Sequence, residues 1–171
     1  HRQRPGGARS AAVAGMGVAV TLLLTMGDPV GIGPEIVARA FQRGSAQGCV
    51  VVGDVGAMRR AMALLPDAWP TARLESPRES APPRCLPVWQ PDGLPPRLAE
   101  LPWGVVDARA GAAAALCIEA AVRALQRGDG SAIVTAPIHK GALAAAGVAY
   151  PGHTEMLQAL AGGAPVRMML A

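Results

Sequence analysis

Val18-Ala19-Val20-Thr21-Leu22-Leu23-Leu24-Thr25 runs into Met26-Gly27-Asp28-Pro29-Val30-Gly31-Ile32-Gly33-Pro34-Glu35, and Ile36, Val37, Ala40 and Phe41 follow at helical spacing. A continuous aliphatic run reads as a strand buried on both faces. The glycines and prolines end it in a tight turn, and the apolar residues beyond them mark one face of a helix. The same order recurs at once. Cys49-Val50-Val51-Val52 stops at Gly53-Asp54, and a helix is predicted from about Val55 to Leu65 with Met58, Ala61, Met62 and Leu65 on one face. Strands alternating with helices in this way predict a parallel sheet with crossover helices, an α/β fold.

Outward from this unit the signals vary in strength. Residues 66–102 carry most of the sixteen prolines and little periodicity. They predict loop, with an edge strand around Cys85–Trp89 where proline is tolerated. Ala108–Arg127 predicts a long helix stopped by Gly128-Asp129-Gly130, and Ala132-Ile133-Val134-Thr135 the next strand. Thr135-Ala136-Pro137-Ile138-His139-Lys140-Gly141 leaves that strand, and Tyr150-Pro151-Gly152-His153-Thr154-Glu155 opens another helix. The apolar run Val166-Arg167-Met168-Met169-Leu170-Ala171 predicts a strand cut at the chain terminus, as expected of a fragment.

Composition narrows the function classes. Of 171 residues, 51% are apolar and only 3% aromatic, so the core is one of aliphatic side chains, suited to helices on a sheet. The formal charge of +4 owes much to Arg2, Arg4 and Arg9. Without them about +1 remains, scattered and without interleaved aromatics, which argues against nucleic acid as a partner. Cys49, Cys85 and Cys117 match neither a zinc spacing nor a disulfide framework and read as reduced thiols. The basic start and the uncharged stretch from Ser10 to Gly27 imitate a signal peptide, but the Val18–Thr25 strand leads directly into the glycine-rich turn and belongs to the fold. The expected organisation is a disordered leader at 1–17, a first α/β domain at 18–130 and the start of a second, truncated, at 131–171. The expected location is the cytoplasm, with no membrane association.

Few residues stand out as carriers of chemistry. Lys140 is the only lysine among sixteen basic residues, and an ammonium offers a compact charge where arginine offers a planar fork. It reads either as a functional cation or as a solvated charge on an exposed turn. His139 and His153 sit past a predicted strand and at a predicted helix start, where open α/β sheets place ligand groups. Gly152-His153-Thr154-Glu155 reads as a helix start with Thr154 as its N-cap, and equally as an imidazole, a hydroxyl and backbone N–H groups offered to an anion. The Gly27–Glu35 loop suggests a phosphate cradle but matches neither Gly-x-Gly-x-x-Gly nor the P-loop.

Thr-Met-Gly-Asp-Pro-Val-Gly-Ile-Gly-Pro-Glu (25–35), Thr-Ala-Pro-Ile-His-Lys (135–140), Gly-His-Thr-Glu (152–155) and Met-Met-Leu-Ala (168–171) stand in an order that resembles the 4-hydroxythreonine-4-phosphate dehydrogenases. The resemblance covers essentially Val18 to Ala171. It implies an isocitrate/isopropylmalate-dehydrogenase-like α/β/α sandwich, here truncated, in a homodimer. It also implies NAD(P)-dependent oxidation of 4-phosphooxy-L-threonine in pyridoxal phosphate synthesis, followed by decarboxylation. A divalent metal (Zn, Mg or Co) held by three histidines would stabilise alkoxide charge as a Lewis acid. Those histidines lie downstream of Met-Met-Leu-Ala in the family, so no metal ligand is expected in this chain.

By the same resemblance His153 and Thr154 contact the phosphorylated substrate, and Lys140 and His139 are secondary candidates for the cleft wall. No residue is assigned a catalytic role. The chain alone is expected to be inactive. The competing expectations are a non-catalytic binding or dimerisation module and a dehydrogenase of another phosphorylated hydroxy acid.

Overall fold

The computed structural model describes residues 21–165. The leader at 1–17, the strand residues 18–20 and the strand predicted over 166–171 lie outside the described residues. Five parallel strands, β1 (Leu22–Thr25), β2 (Cys49–Val52), β3 (Thr71–Leu74), β4 (Leu86–Trp89) and β5 (Ala132–Thr135), stand in the order β3-β4-β2-β1-β5. The helices are α1 (Gly33–Gln42), α2 (Val55–Met62), α3 (Ala108–Gln126), α4 (Lys140–Ala145) and α5 (His153–Leu160).

Right-handed crossovers distribute the helices. The step from β1 to β2 and the move from β2 to β3 go the same way across the sheet, which sets α1 and α2 side by side on one face. The step from β4 to β5 goes back, which sets α3 on the other. Contacts agree: α1 packs on α2, and α3 lies on β1, β2 and β5. The core between these layers is aliphatic, with Leu23, Val51, Val52, Ala57, Met58, Leu86 and Val88 fully excluded from solvent. Each crossover helix is started by its own sequence. Asp54 caps α2 by accepting from Ala57 N at 2.7 Å, and Asp107 caps α3 by accepting from Arg109 N at 2.7 Å. Pro34 falls in the first turn of α1, where its missing N–H costs nothing.

The proline-rich stretch departs from expectation. Residues 66–102 contribute two strands, and the one foreseen near Cys85–Trp89 is internal, lying between β3 and β2. Pro87 survives there because successive N–H groups point to opposite sides of a strand. Leu86 N donates to Pro70 O at 2.8 Å toward β3. Position 87 therefore faces β2, where pairing begins only at Val51 with Val88. The true edge on that side, β3, has a single buried residue, Leu74, and no aliphatic run to announce it.

At position 131, where a second domain was expected to begin, the sheet does not break. Leu22, Leu23, Leu24 and Thr25 pair in register with Ala132, Ile133, Val134 and Thr135. Beyond β5 the chain builds a smaller core of its own. Ala115 and Ile118 of α3, Leu143 of α4 and Met156 of α5 are buried together, with Ile138, Val148, Tyr150 and Leu157 partly covering them.

Candidate functional site

The helices that follow the neighbouring strands β1 and β5 lie on opposite faces of the sheet, α1 beside α2 and α4 on α3, and open α/β sheets offer a ligand crevice at such a point, beyond the carboxyl ends of the strands. Two loops meet there. Asp28 N donates to Pro137 O at 2.9 Å, drawing the 26–33 turn onto the 136–139 turn. Gly27, at φ +73°, permits the approach, since a Cβ at this position would run into the Pro137 carbonyl.

The middle of the glycine-rich loop is closed on itself: Val30 N donates to the buried Asp28 carboxylate at 2.9 Å, and Gly31 N to Asp28 O at 3.1 Å. Arg60 holds the loop from beneath. Its guanidinium donates to Ala99 O at 2.7 Å, Leu101 O at 2.6 Å and Pro29 O at 3.2 Å, and lies 3.8 Å from the Trp103 ring centroid. Loss of hydration works against its charge, and Asp54 works for it. The role of Arg60 escapes a sequence reading, which sees only one of two adjacent arginines.

The residues singled out by sequence gather at the other side of the crevice, on α4 and α5. His153 opens α5 with Gly152 as the N-cap, so Thr154 lies inside the first turn instead of capping it. Gly152 has no side chain, so the start of α5 carries no side-chain cap. Among the described residues the N–H groups of His153, Thr154 and Glu155 find no acceptor. They carry the positive end of the helix dipole. Thr154 is exposed. His153 is half-buried with its Nε2 enclosed and unpartnered, and burial lowers its pKa, while the nearby Ala136 backbone works the other way.

Lys140 reaches the same spot. Its Cε lies 3.7 Å from where a Gly152 Cβ would be, and Glu155 Oε2 lies 3.3 Å from that point. Lys140 forms no ion pair among the described residues. The structure thus joins Lys140 to His153 and Thr154 around one exposed helix start. His139 is placed differently. It is the N-cap of α4, its Nδ1 accepting from Ala142 N at 3.2 Å, so half of its ring already serves the fold. Among the described residues no three His, Cys, Asp or Glu side chains lie together as a metal ion would require. These residues by themselves do not make a metal site.

A parallel sheet with helices on both faces and loops meeting at its carboxyl edge define an α/β protein of the doubly wound class. The family model described as pyridoxal phosphate biosynthetic protein PdxA matches residues 45–171, and the chain belongs to that family. It is 43% identical over 157 residues to 4-hydroxythreonine-4-phosphate dehydrogenase of Beijerinckia indica, covering 88% of this chain and 44% of the relative. It is 39% identical over 160 residues to D-threonate 4-phosphate dehydrogenase of Pectobacterium atrosepticum, covering 87% and 46%. Among solved structures, 4-hydroxythreonine-4-phosphate dehydrogenase from Burkholderia phymatum superposes with a TM-score of 0.76 at 35% identity, covering 85% of this chain and 44% of that one. The chain spans under half the length of these relatives. Among the described residues no helix is long and apolar enough to cross a membrane.

Proposed function

We propose that this chain supplies the phosphate-facing wall of an NAD(P)- and divalent-metal-dependent dehydrogenase of 4-phosphooxy-L-threonine, acting in pyridoxal phosphate synthesis. The observation that carries the reading is the start of α5, where His153, Thr154 and Lys140 surround backbone N–H groups without acceptors. A phosphoryl group would take hydrogen bonds from those amides and from Thr154, and charge compensation from Lys140. His153, whose charged form burial disfavours, would border the same group from the first turn of α5. A divalent ion and a nicotinamide, held by residues outside this chain, would supply Lewis-acid and hydride-accepting chemistry. Decarboxylation would follow oxidation as a property of the β-keto acid. The homodimer and a cytoplasmic setting belong to the same reading.

The test is complementation. The C-terminal half of the Beijerinckia indica relative, combined with this chain, is expected to reduce NAD or NADP when given 4-phosphooxy-L-threonine and metal, while either half alone is silent. Turnover by this chain alone would refute the dependence on a second half. No turnover by a well-folded complex, with phosphate still perturbing the His153 signal, would favour a non-catalytic binding module.

A second reading has a specific basis, because the Pectobacterium atrosepticum relative is nearly as similar and is named for D-threonate 4-phosphate. The two substrates share the phosphoryl end and differ at the amine, so substrate choice falls to contacts beyond α5. Turnover of D-threonate 4-phosphate in preference to 4-phosphooxy-L-threonine would select this reading.

A further inference from the structure

Helix α3 is built almost wholly of strong helix formers, Ala-Arg-Ala-Gly-Ala-Ala-Ala-Ala-Leu-Cys-Ile-Glu-Ala-Ala-Val-Arg-Ala-Leu-Gln, and contains one glycine, Gly111, near its start. In a helix interior glycine costs roughly 0.5–1 kcal/mol against alanine. A sequence that uses alanine at four of the next four positions and withholds it at 111 sacrifices local stability for something else. The contact explains it. A Cβ on Gly111 would run into the Ala142 carbonyl of α4 and stand 2.7 Å from Leu143 N, where ordinary contact begins at 3.4 Å. The obstacle is backbone and cannot rotate away.

What rests on that backbone is the site. Ala142 N is the donor to His139 Nδ1, Lys140 is the first residue of α4, and α4 meets α3 more extensively than any other pair of elements meet. At its other end the same segment is tied down by Asp28 N to Pro137 O at 2.9 Å. The 137–142 segment is thus held between the glycine-rich loop and α3, and its height above α3 is set at position 111.

We infer that Gly111 is a positioning residue for the substrate site: by letting α4 lie directly on α3, it places Lys140 beside the start of α5. The inference rests on the proposed substrate role of that surface, but its test reads geometry and stands apart from turnover. Because Lys140 is the only lysine, reductive ¹³C-methylation of the intact chain yields one side-chain NMR signal besides that of the terminal amine. Gly111→Ala is expected to move the Lys140 signal and the His139 ring signals by more than their linewidths while far-UV circular dichroism is retained. Cys117→Ala, a buried change on the sheet-facing side of α3, is expected to leave both in place. A folded Gly111→Ala with unchanged Lys140 and His139 signals overturns the inference.

Should Gly111→Ala fail to fold, Leu143→Ala relaxes the same seam from the α4 side without crowding it. A displaced Lys140 signal then supports the inference and an unchanged one refutes it. Failure of the substrate reading would show instead in the methylated chain without substitutions, as indifference of the Lys140, His139 and His153 signals to inorganic phosphate.

Discussion

Two cores of unequal size share this chain. The sheet core draws buried side chains from β1, β2, β3, β4, α1, α2 and α3, whereas the core under α4 and α5 has only Ala115, Ile118, Leu143 and Met156 buried. Every candidate substrate contact is mounted on the smaller one. A site carried on a few buried residues is a site whose geometry is the first to yield, because local opening follows the density of buried apolar contacts. The difference separates what keeps the protein folded from what keeps the site formed.

The comparison breaks most visibly from the large side. Leu23→Ala, on the internal strand β1 and fully excluded from solvent, is expected to cost about 3 kcal/mol, read as a lowered urea midpoint by circular dichroism. Met156→Ala, equally enclosed, is expected to act locally. Amide hydrogens of α4 and α5 should exchange faster while those of β1 and β2 keep their protection, and uniform acceleration across both regions would merge the two cores into one cooperative unit. Arg60→Met keeps the apolar stem but strands three carbonyl acceptors and uncovers Trp103. A loss of about 1–2 kcal/mol and a change in tryptophan emission are expected, and unaltered emission would remove Arg60 from its place beneath the loop.

The smallest effect is one of pH. Burial lowers the His153 pKa in the fold, so the unfolded chain binds the extra proton more readily. The stabilisation is complete above the ordinary histidine value of about 6.5 and is lost as pH falls from there through the lowered folded value. Opening of α5, followed by hydrogen exchange, is expected to rise over that window and to become pH-independent in His153→Gln.

How much of this was legible depended on whether the signal was local. β1 and β2 announce themselves as aliphatic runs, and Ala108–Gln126 as an uninterrupted helix former, because burial on both faces or along one stripe shows in the sequence, whereas β5 is an equally aliphatic run that leaves Val134 exposed. β3 left no such mark. Thr71-Ala72-Arg73-Leu74 is an edge strand whose place is fixed by pairing with β4, and nothing in those four residues demands it. The site was legible by residue type, since a lone lysine and two histidines stand out from an aliphatic background. Its arrangement was not. That Lys140 reaches Gly152 while His139 turns back to cap α4 depends on how closely α4 lies on α3, a long-range contact with no periodic trace.

The placement of β1 has a consequence for how the molecule assembles. Its neighbour on one side, β2, follows within one helix, but its neighbour on the other, β5, is about 110 residues away in the chain, and such non-local pairing is slow to form because the intervening loop must close first. The first described strand to be synthesised is therefore among the last to be completed. Until Ala132–Thr135 arrives, one flank of a strand with three buried residues stays open, and a chain paused during synthesis just before Ala132 would be the species most in need of a chaperone.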